Sequence, residues 1–260
     1  MGFFPVEMLL YQLVSRQMFG QPLSSCWPYM SSAESDRVVA QIAAFEGQLM
    51  QTRFSSIGSI CEDTSTHELV VGHLGLSCIS PLYLGKDLGP WHSSHEFIKA
   101  YAHAELELLE KEPENWTRER IKWRHLNHDT DDPPLEYMRA LYRLFYDGTL
   151  RLAPRYPPRD EPSSDAPFVL HQDVSLSNIL VAHDDVARVV GIIDWEGARV
   201  VPLWSCVYHD HLLRNGSLPD EELTRLRALR RQIHISHEPA VITAVDESLV
   251  MRCLFNLATF

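Results

Sequence analysis

Phe168 to Ala198 read FVLHQDVSLSNILVAHDDVARVVGIIDWEGA, and this stretch decides how the chain folds. It contains two short apolar runs rich in leucine and β-branched residues, Asn178–Val181 and Val189–Ile193, each bounded by polar or turn residues. Runs of this length and composition are typical of short buried strands. Residues 183–185, His-Asp-Asp, supply a turn between them. The stretch therefore predicts a β-hairpin.

Three oxygen-bearing side chains lie at the ends of these predicted strands. Asp173 precedes the first strand, Asn178 begins it, and Asp194 follows the second. Mg²⁺ prefers oxygen ligands and commonly takes one or two protein carboxylates, with phosphates and water completing its shell. An amide and a carboxylate can share that role and leave another carboxylate to orient a hydroxyl nucleophile. Asp and Asn are also frequent in turns and caps, which would explain any one of these residues alone.

The spacing of the polar residues carries a family resemblance. HQDVSLSN, His171–Asn178, fits the pattern H-x-D-x-x-x-x-N, and IIDWE, Ile192–Glu196, follows after a hydrophobic strand and a turn. This combination resembles the aminoglycoside phosphotransferase family, whose fold is similar to that of protein kinases. The segment LSNILV, followed by GIIDWEGARVVPLW, is similar to sequences of the fungal branch of that family. The resemblance implies an α+β fold, mostly helical, similar to the C-terminal lobe of a protein kinase-like phosphotransferase.

The resemblance also implies a role for each motif residue. Asp173 would be the catalytic base, or the carboxylate that orients the acceptor hydroxyl. Asn178 and Asp194 would hold Mg²⁺ on the phosphates of ATP, and His171 would brace the catalytic loop without doing chemistry. The implied reaction transfers the γ-phosphoryl group of ATP to a hydroxyl of a small molecule.

Two positions depart from the protein-kinase pattern. Ser175 stands where a protein kinase usually has a lysine, and Trp195 replaces the phenylalanine of D-F-G. Both departures favour a small-molecule acceptor over a protein substrate. The sequence does not specify which small molecule.

The N-terminal residues predict a hinge. MLLYQLV, Met8–Val14, resembles the last strand of the nucleotide lobe, so the backbone of Arg16, Gln17 and Met18 would meet the adenine edge. Residues 1 to about 18 would then be a remnant of that strand and hinge. An ordinary edge strand and turn would explain the same residues.

The chain contains no sequence match to the phosphate-covering part of a nucleotide lobe. The motif G-x-G-x-x-G is absent, and the four lysines, Lys86, Lys99, Lys111 and Lys122, all follow the predicted hinge. Kinases use a glycine-rich loop and a strand lysine to hold the phosphates. We therefore expect a single kinase-like domain over residues 1–260 with most of its N-terminal lobe missing. Two interpretations stay open: an active small-molecule kinase, or a non-catalytic remnant or truncated gene product that binds a ligand or partner without phosphoryl transfer.

Composition narrows the class of partner. A formal net charge of −12 argues against nucleic-acid binding, which requires a basic surface. Five scattered cysteines without a C-x-x-C pair fit reduced thiols in the cytoplasm. No apolar run approaches the ~20 residues of a membrane span, and the N-terminus lacks the basic region of a signal peptide. We expect a cytoplasmic protein that acts on a small molecule, of unspecified oligomeric state.

Apolar periodicity predicts the remaining elements. A short hairpin or an extended loop is expected from Phe54–Ile60 and Leu69–Leu74. In the helix that follows Ser93, the acidic residues Glu105, Glu107 and Glu110 are expected to face solvent; the alternative is that they attract a cation. The predicted helices cover residues 35–51, 94–111, 135–150, 220–232 and 247–257.

Overall fold

A computed structural model describes residues 20–74, 85–118, 135–152, 167–195, 198–207, 212–213 and 218–247. Its helices are α1 (Ser32–Gln51), α2 (Ser94–Lys111), α3 (Leu135–Leu152), α4 (Asp220–His237) and α5 (Ala240–Glu247). Its strands are β1 (Gln21–Pro22), β2 (Gly58–Glu62), β3 (Leu69–Gly72), β4 (Phe168–Leu170), β5 (Ile179–Val181), β6 (Val189–Ile192) and β7 (Arg199–Val201). Helices and small antiparallel sheets fit the predicted α+β class. None of the helices in these ranges is long and apolar enough to cross a membrane.

Some predictions fall outside these residues. The predicted hinge at Arg16, Gln17 and Met18, the remnant strand before it and most of the helix predicted over residues 247–257 are among them. Helix α5, which begins at Ala240, was not predicted from the sequence.

Helix α1 begins where its sequence provides a cap. The Ser31 hydroxyl accepts a hydrogen bond from the Glu34 amide, and the Glu34 carboxylate accepts one from the Ser31 amide at 2.8 Å. This reciprocal pair satisfies two backbone donors that a helix N-terminus leaves unpaired. One face of the helix is apolar and buries Val38, Ile42 and Leu49, as the periodicity predicted.

The strands form two separate antiparallel sheets. One has the order β1-β5-β6 and contains the predicted hairpin, in which Ile179 pairs with Ile192. The other has the order β3-β2-β7-β4 and contains the hairpin predicted from the second pair of apolar segments. Strands β4 and β7 are neighbours in it, with Leu170 opposite Arg199.

Between β4 and β7 the chain crosses from one sheet to the other and back again. Residues 171–178 lead from β4 to β5, and residues 193–198 lead from β6 back to β7. Because β4 pairs with β7 and β5 pairs with β6, the two crossing segments are tied together at both ends. The motif residues of the sequence lie on these segments.

Buried side chains form two hydrophobic clusters within the described ranges. One includes Phe168, Leu170 and Trp204 together with residues of α2, α3 and α5. The other includes Val174 and Ile179 together with residues of α1 and α4. The first crossing segment thus leaves one cluster and enters the other, and both ends are fixed by apolar burial.

Helices α1 and α4 pack closely because α1 carries a glycine at the contact. A Cβ added to Gly47 would lie 2.6 Å from the Cβ of His237, closer than carbon atoms can approach. The Gln51 side chain donates to the His237 carbonyl at 2.7 Å, beside this contact.

A buried carboxylate joins the same two helices. Both carboxylate oxygens of Glu46 accept hydrogen bonds from the Arg230 guanidinium, at 2.9 and 2.6 Å, and His234 bonds one of them at 2.9 Å. Burial alone would raise the pKa of Glu46, but the charge of Arg230 and the hydrogen bonds from His234 and Arg230 outweigh it and lower the pKa to about 2. We call these three residues the buried charge cluster.

One solvent-facing prediction for α2 was wrong. The Glu105 side chain is fully buried and accepts a hydrogen bond from the Trp116 indole at 2.7 Å. Glu107 is partly exposed as expected and pairs with Lys86 and Lys111 at 2.8 and 2.7 Å. A carboxylate at 105 therefore serves the protein interior rather than a cationic ligand.

We expect Gly47→Ala to lower the free energy of unfolding by about 1 to 3 kcal/mol, because the added methyl forces α1 and α4 apart. Helix propensity alone would favour alanine by roughly 1 kcal/mol. The sign of the change in the free energy of unfolding therefore shows whether propensity or the clash with α4 dominates. Urea unfolding measures the change. The control is Gln48→Ala at the next, exposed position of α1, which should stay within about 0.5 kcal/mol of wild type.

We expect Glu46→Gln to lower the free energy of unfolding by about 3 kcal/mol at neutral pH, because Arg230 loses its buried partner. The folded-state pKa of Glu46 lies below its ordinary value of 4.5. Its stabilisation is therefore present above that value and is lost as the pH falls toward about 2. Urea titrations at several pH values should show the gap between wild type and variant shrinking as the pH falls below about 5. A gap independent of pH would contradict the assignment.

Candidate functional site

The imidazole of His171 joins the two crossing segments. Its Nε2 donates a hydrogen bond to the Ile193 carbonyl at 2.9 Å, and its Nδ1 accepts one from the Asp173 amide at 3.1 Å. The Ile193 amide adds a backbone bond to the Asn178 carbonyl at 2.9 Å. The two segments are thus bonded to each other at the level of the candidate residues.

These bonds fix one state of the His171 ring. A nitrogen that accepts from an amide carries no proton, so the imidazole is neutral with its hydrogen on Nε2. The ring is 4% exposed, and this burial lowers the pKa of His171 below its ordinary value, against the opposing effect of the hydrogen bond to Ile193. A neutral, doubly bonded imidazole acts as a brace and leaves no nitrogen for proton transfer.

Asp173 and Asn178 are bonded across the first segment. The side-chain NH₂ group of Asn178 donates to the Asp173 backbone carbonyl and to the Asp173 carboxylate, each at 3.0 Å. These bonds use the NH₂ group of Asn178 and not its side-chain oxygen. Asn178 is 9% exposed, whereas Asp173 is exposed at the surface. The carboxylate is therefore accessible and its orientation is held by a buried neighbour.

Asp194 has an unusual backbone conformation on the second segment. Its φ is 67°, in the left-handed region that side chains other than those of Gly, Asn and Asp rarely adopt. The residue is exposed. A non-glycine residue there costs of order 1 kcal/mol, and such strain concentrates at functional sites.

Trp195, the residue after Asp194, is held by one hydrogen bond and two aromatic contacts. Its indole donates to the Ile192 carbonyl at 2.9 Å. Its ring packs edge-on against His171, with centroids 4.6 Å apart, and against Phe45 of α1, at 5.9 Å. The aromatic ring in this position thus connects the second segment to the brace and to α1.

One face of α1 supports the whole β5–β6 hairpin. Arg37 pairs with Asp185 at 2.8 Å. Gln41 donates to the Ala187 carbonyl at 2.7 Å and accepts from the Val189 amide at 3.1 Å. Residues 37, 41 and 45 are spaced by four and therefore share a helix face. Arg37 and Gln41, one helical turn apart on α1, therefore hold the loop between β5 and β6 and the first residue of β6.

The donor set fits a divalent cation that also binds phosphates. The described residues contain no group of three or more His, Cys, Asp or Glu side chains placed to hold a metal. Mg²⁺ does not need such a cage, because it is usually bound by one or two protein groups with substrate phosphates and water. Asn178 and Asp194, on segments bonded to each other, are an amide oxygen and a carboxylate of that kind.

The chain also matches a family model. The model described as "APH: Phosphotransferase enzyme family" matches residues 17–205, more than half of the chain. The chain belongs to this family.

Two curated relatives of this phosphotransferase-family chain come from two strains of Aspergillus fumigatus. Each is called a subtelomeric hrmA-associated cluster protein and is 23% identical over 261 aligned residues. The alignment covers 80% of this chain and 49% of each relative. The chain spans about half the length of the curated relatives it matches. Their organism agrees with the fungal resemblance of the sequence.

Several supporting residues of this family member were not identified from sequence. The motif residues lie on the two bonded segments, with Asp194 directly after Ile193 on the second, and their roles stay predictions. Their supports, Gln41, Phe45 and the buried charge cluster, lie on helices far away along the chain. The only signal was spacing: Arg37, Gln41 and Phe45 lie beside the apolar face of α1 at intervals of four.

We expect Asp194→Gly to be about 1 kcal/mol more stable to unfolding than Asp194→Ala, since glycine alone adopts a φ of 67° without strain. Thermal and urea unfolding of both variants measures the difference. At an ordinary surface position with negative φ the order reverses. Equal stabilities, or a more stable alanine variant, would contradict the left-handed conformation.

Proposed function

We propose that the chain is a phosphotransferase that moves the γ-phosphoryl group of ATP to a hydroxyl of a small molecule. The observation that carries the proposal is the bonding of the two crossing segments through His171. It holds an exposed carboxylate, Asp173, beside an amide, Asn178, and near the strained Asp194. Membership in the phosphotransferase enzyme family supports the same reaction class.

The proposal assigns a role to each residue. Asn178 and Asp194 would hold Mg²⁺, which when bound neutralises charge on the nucleotide phosphates. Asp173 is a catalytic residue that accepts a hydrogen bond from the acceptor hydroxyl and orients its oxygen, while Asn178 keeps the carboxylate in place. His171 is a positioning residue, because both of its nitrogens are occupied by backbone groups. Catalysis of phosphoryl transfer rests mainly on such positioning and charge neutralisation.

The acceptor we propose is a small molecule in the cytoplasm. Ser175 stands two residues after Asp173, where a protein kinase usually has a lysine, and its hydroxyl bonds the Ser177 hydroxyl at 2.9 Å. The net charge of −12 opposes binding to a nucleic-acid backbone. The proposal names no particular acceptor.

The second candidate function is ligand binding without phosphoryl transfer. The observation that favours it is the absence of G-x-G-x-x-G from the chain and of any lysine before residue 86. Glycine-rich loops and a strand lysine hold the phosphates in kinases, so a protein without either would lose phosphoryl transfer before it lost Mg²⁺ binding.

We expect the chain to bind ATP in a Mg²⁺-dependent manner, measured by titration calorimetry with Mg·ATP and with ATP plus a chelator. Asp194→Asn and Asn178→Ala should remove the Mg²⁺-dependent part of the binding. The first removes the negative charge of the proposed carboxylate ligand, and the second removes the proposed amide-oxygen ligand. Asp173→Asn should still bind Mg·ATP but lose acceptor-dependent ADP release by about 100-fold or more.

The outcomes separate the two candidates. Mg·ATP binding with ADP release above a no-acceptor control supports the phosphotransferase. Binding with no ADP release over a broad panel of hydroxyl-bearing small molecules supports the non-catalytic candidate. No Mg²⁺-dependent binding at all contradicts the proposed function.

A further inference from the structure

The buried charge cluster lies directly behind the crossing segments. A cavity of about 10 Å³ separates them, no larger than a single water molecule requires. Its walls include His171 and Val174 of the first segment and all three charged residues of the cluster. The cluster and the brace of the candidate site therefore border the same small space.

The geometry of the cluster fixes Glu46 tightly. Arg230 binds both carboxylate oxygens in a bidentate fork, the most directional form of ion pair, and His234 bonds one of the same oxygens. Glu46, Arg230 and His234 are each 7% exposed, so solvent does not weaken these bonds. Both carboxylate oxygens of Glu46 are therefore bonded to side chains of α4.

A short chain of contacts leads from Glu46 to the candidate site. Phe45, the preceding residue of α1, packs edge-on against Trp195 at 5.9 Å. Trp195 packs against His171 at 4.6 Å and directly follows Asp194. Any rotation or shift of α1 at position 46 is therefore passed to Phe45, then to the indole, and from there to both crossing segments.

Stability alone does not account for this cluster. Removing charges from water is costly, and apolar residues of similar volume often replace a buried ion pair with no loss of stability. What a bidentate pair supplies and an apolar contact does not is a fixed relative orientation. Here the orientation fixed is that of α1 against α4, at the turn that carries Phe45.

We propose that Glu46, Arg230 and His234 are positioning residues for phosphoryl transfer, fixing α1 so that Phe45 holds Trp195, and with it Asp194 and His171, in the Mg²⁺-binding arrangement. This inference rests on the proposed function for its effect on nucleotide binding. The arrangement of the segments can be tested without it.

The test variant is the double substitution Glu46→Leu and Arg230→Met, which removes both charges and approximately keeps the side-chain volume. Its melting temperature should fall less than that of single Glu46→Gln, because the double variant removes the charge pair as a unit and leaves only the His234 imidazole without its hydrogen-bond partner. Single Glu46→Gln leaves a buried guanidinium without its charge partner and shows the cost of breaking the pair. The Kd for Mg·ATP should rise by about 10-fold to 100-fold, as when residues that orient metal ligands are lost.

The control is Arg225→Gln combined with Asp36→Asn. These residues form another ion pair between α4 and α1, at 2.5 Å, but they are exposed and lie outside the cavity. The control should leave the Kd for Mg·ATP within about 2-fold of wild type, since exposed pairs contribute little. If the Kd for Mg·ATP rises equally in the control and in the double variant, then any weakening of the contact between α1 and α4 reduces binding. That outcome overturns the inference.

Amide hydrogen exchange, measured without nucleotide, provides the second readout. The amides of Asp173 and Ile193, bonded to His171 and Asn178, should exchange about 10-fold faster in the double variant. The Ala182 amide, bonded to Arg188 at the hairpin turn, should be unchanged. Unchanged exchange at positions 173 and 193 overturns the inference, even if Mg·ATP binding is weakened. If wild type binds no Mg·ATP, the proposed function fails and the exchange rates alone decide this inference.

Discussion

The two hydrogen bonds of the His171 imidazole are the constraint on which the candidate site depends. They join a backbone amide of one crossing segment to a backbone carbonyl of the other. Strand pairing ties the ends of the two segments together, and the imidazole adds a bond between them at Asp173 and Ile193. That bond needs a group that accepts on one side and donates on the other. A neutral imidazole meets this requirement in one tautomer. Its burial lowers the pKa of His171 and so keeps the ring neutral.

Helix α1 provides the platform against which this arrangement is built. Its apolar face is buried in the second hydrophobic cluster, and its adjacent polar face bonds the hairpin turn through Arg37 and Gln41. The close approach of α4 at Gly47 then places Arg230 and His234 within reach of Glu46. Apolar burial thus sets the distance between the helices, and a few directional bonds set their orientation.

Much of this fold could be predicted from the sequence because its signals are local. Short apolar runs bounded by turn residues predicted the β5–β6 hairpin, and apolar residues at helical spacing predicted α1 and α2. The motif spacing identified His171, Asp173, Asn178 and Asp194 as candidates, and their roles stay predictions. Local patterns carry no information on which distant residues meet.

The failures follow from that limit. Glu46 is bonded to residues 184 and 188 positions away, so nothing near it in sequence shows that it is buried. Glu105 was expected at the surface because an isolated carboxylate is rarely buried, and its partner Trp116 lies beyond the end of its helix. Both carboxylates are buried because donors on other helical segments satisfy them.

The left-handed backbone at position 194 has a consequence for reading the histories of related proteins. In a lineage whose members no longer use this carboxylate, selection for folding alone would favour residues that relax the backbone there, glycine above all. Aspartate adopts this conformation more readily than most residues but is more strained there than glycine, and the proposed binding of Mg²⁺ by its carboxylate would offset that difference. The residue at this one place could therefore sort descendants that keep the chemistry from those that have abandoned it, before any of them is purified.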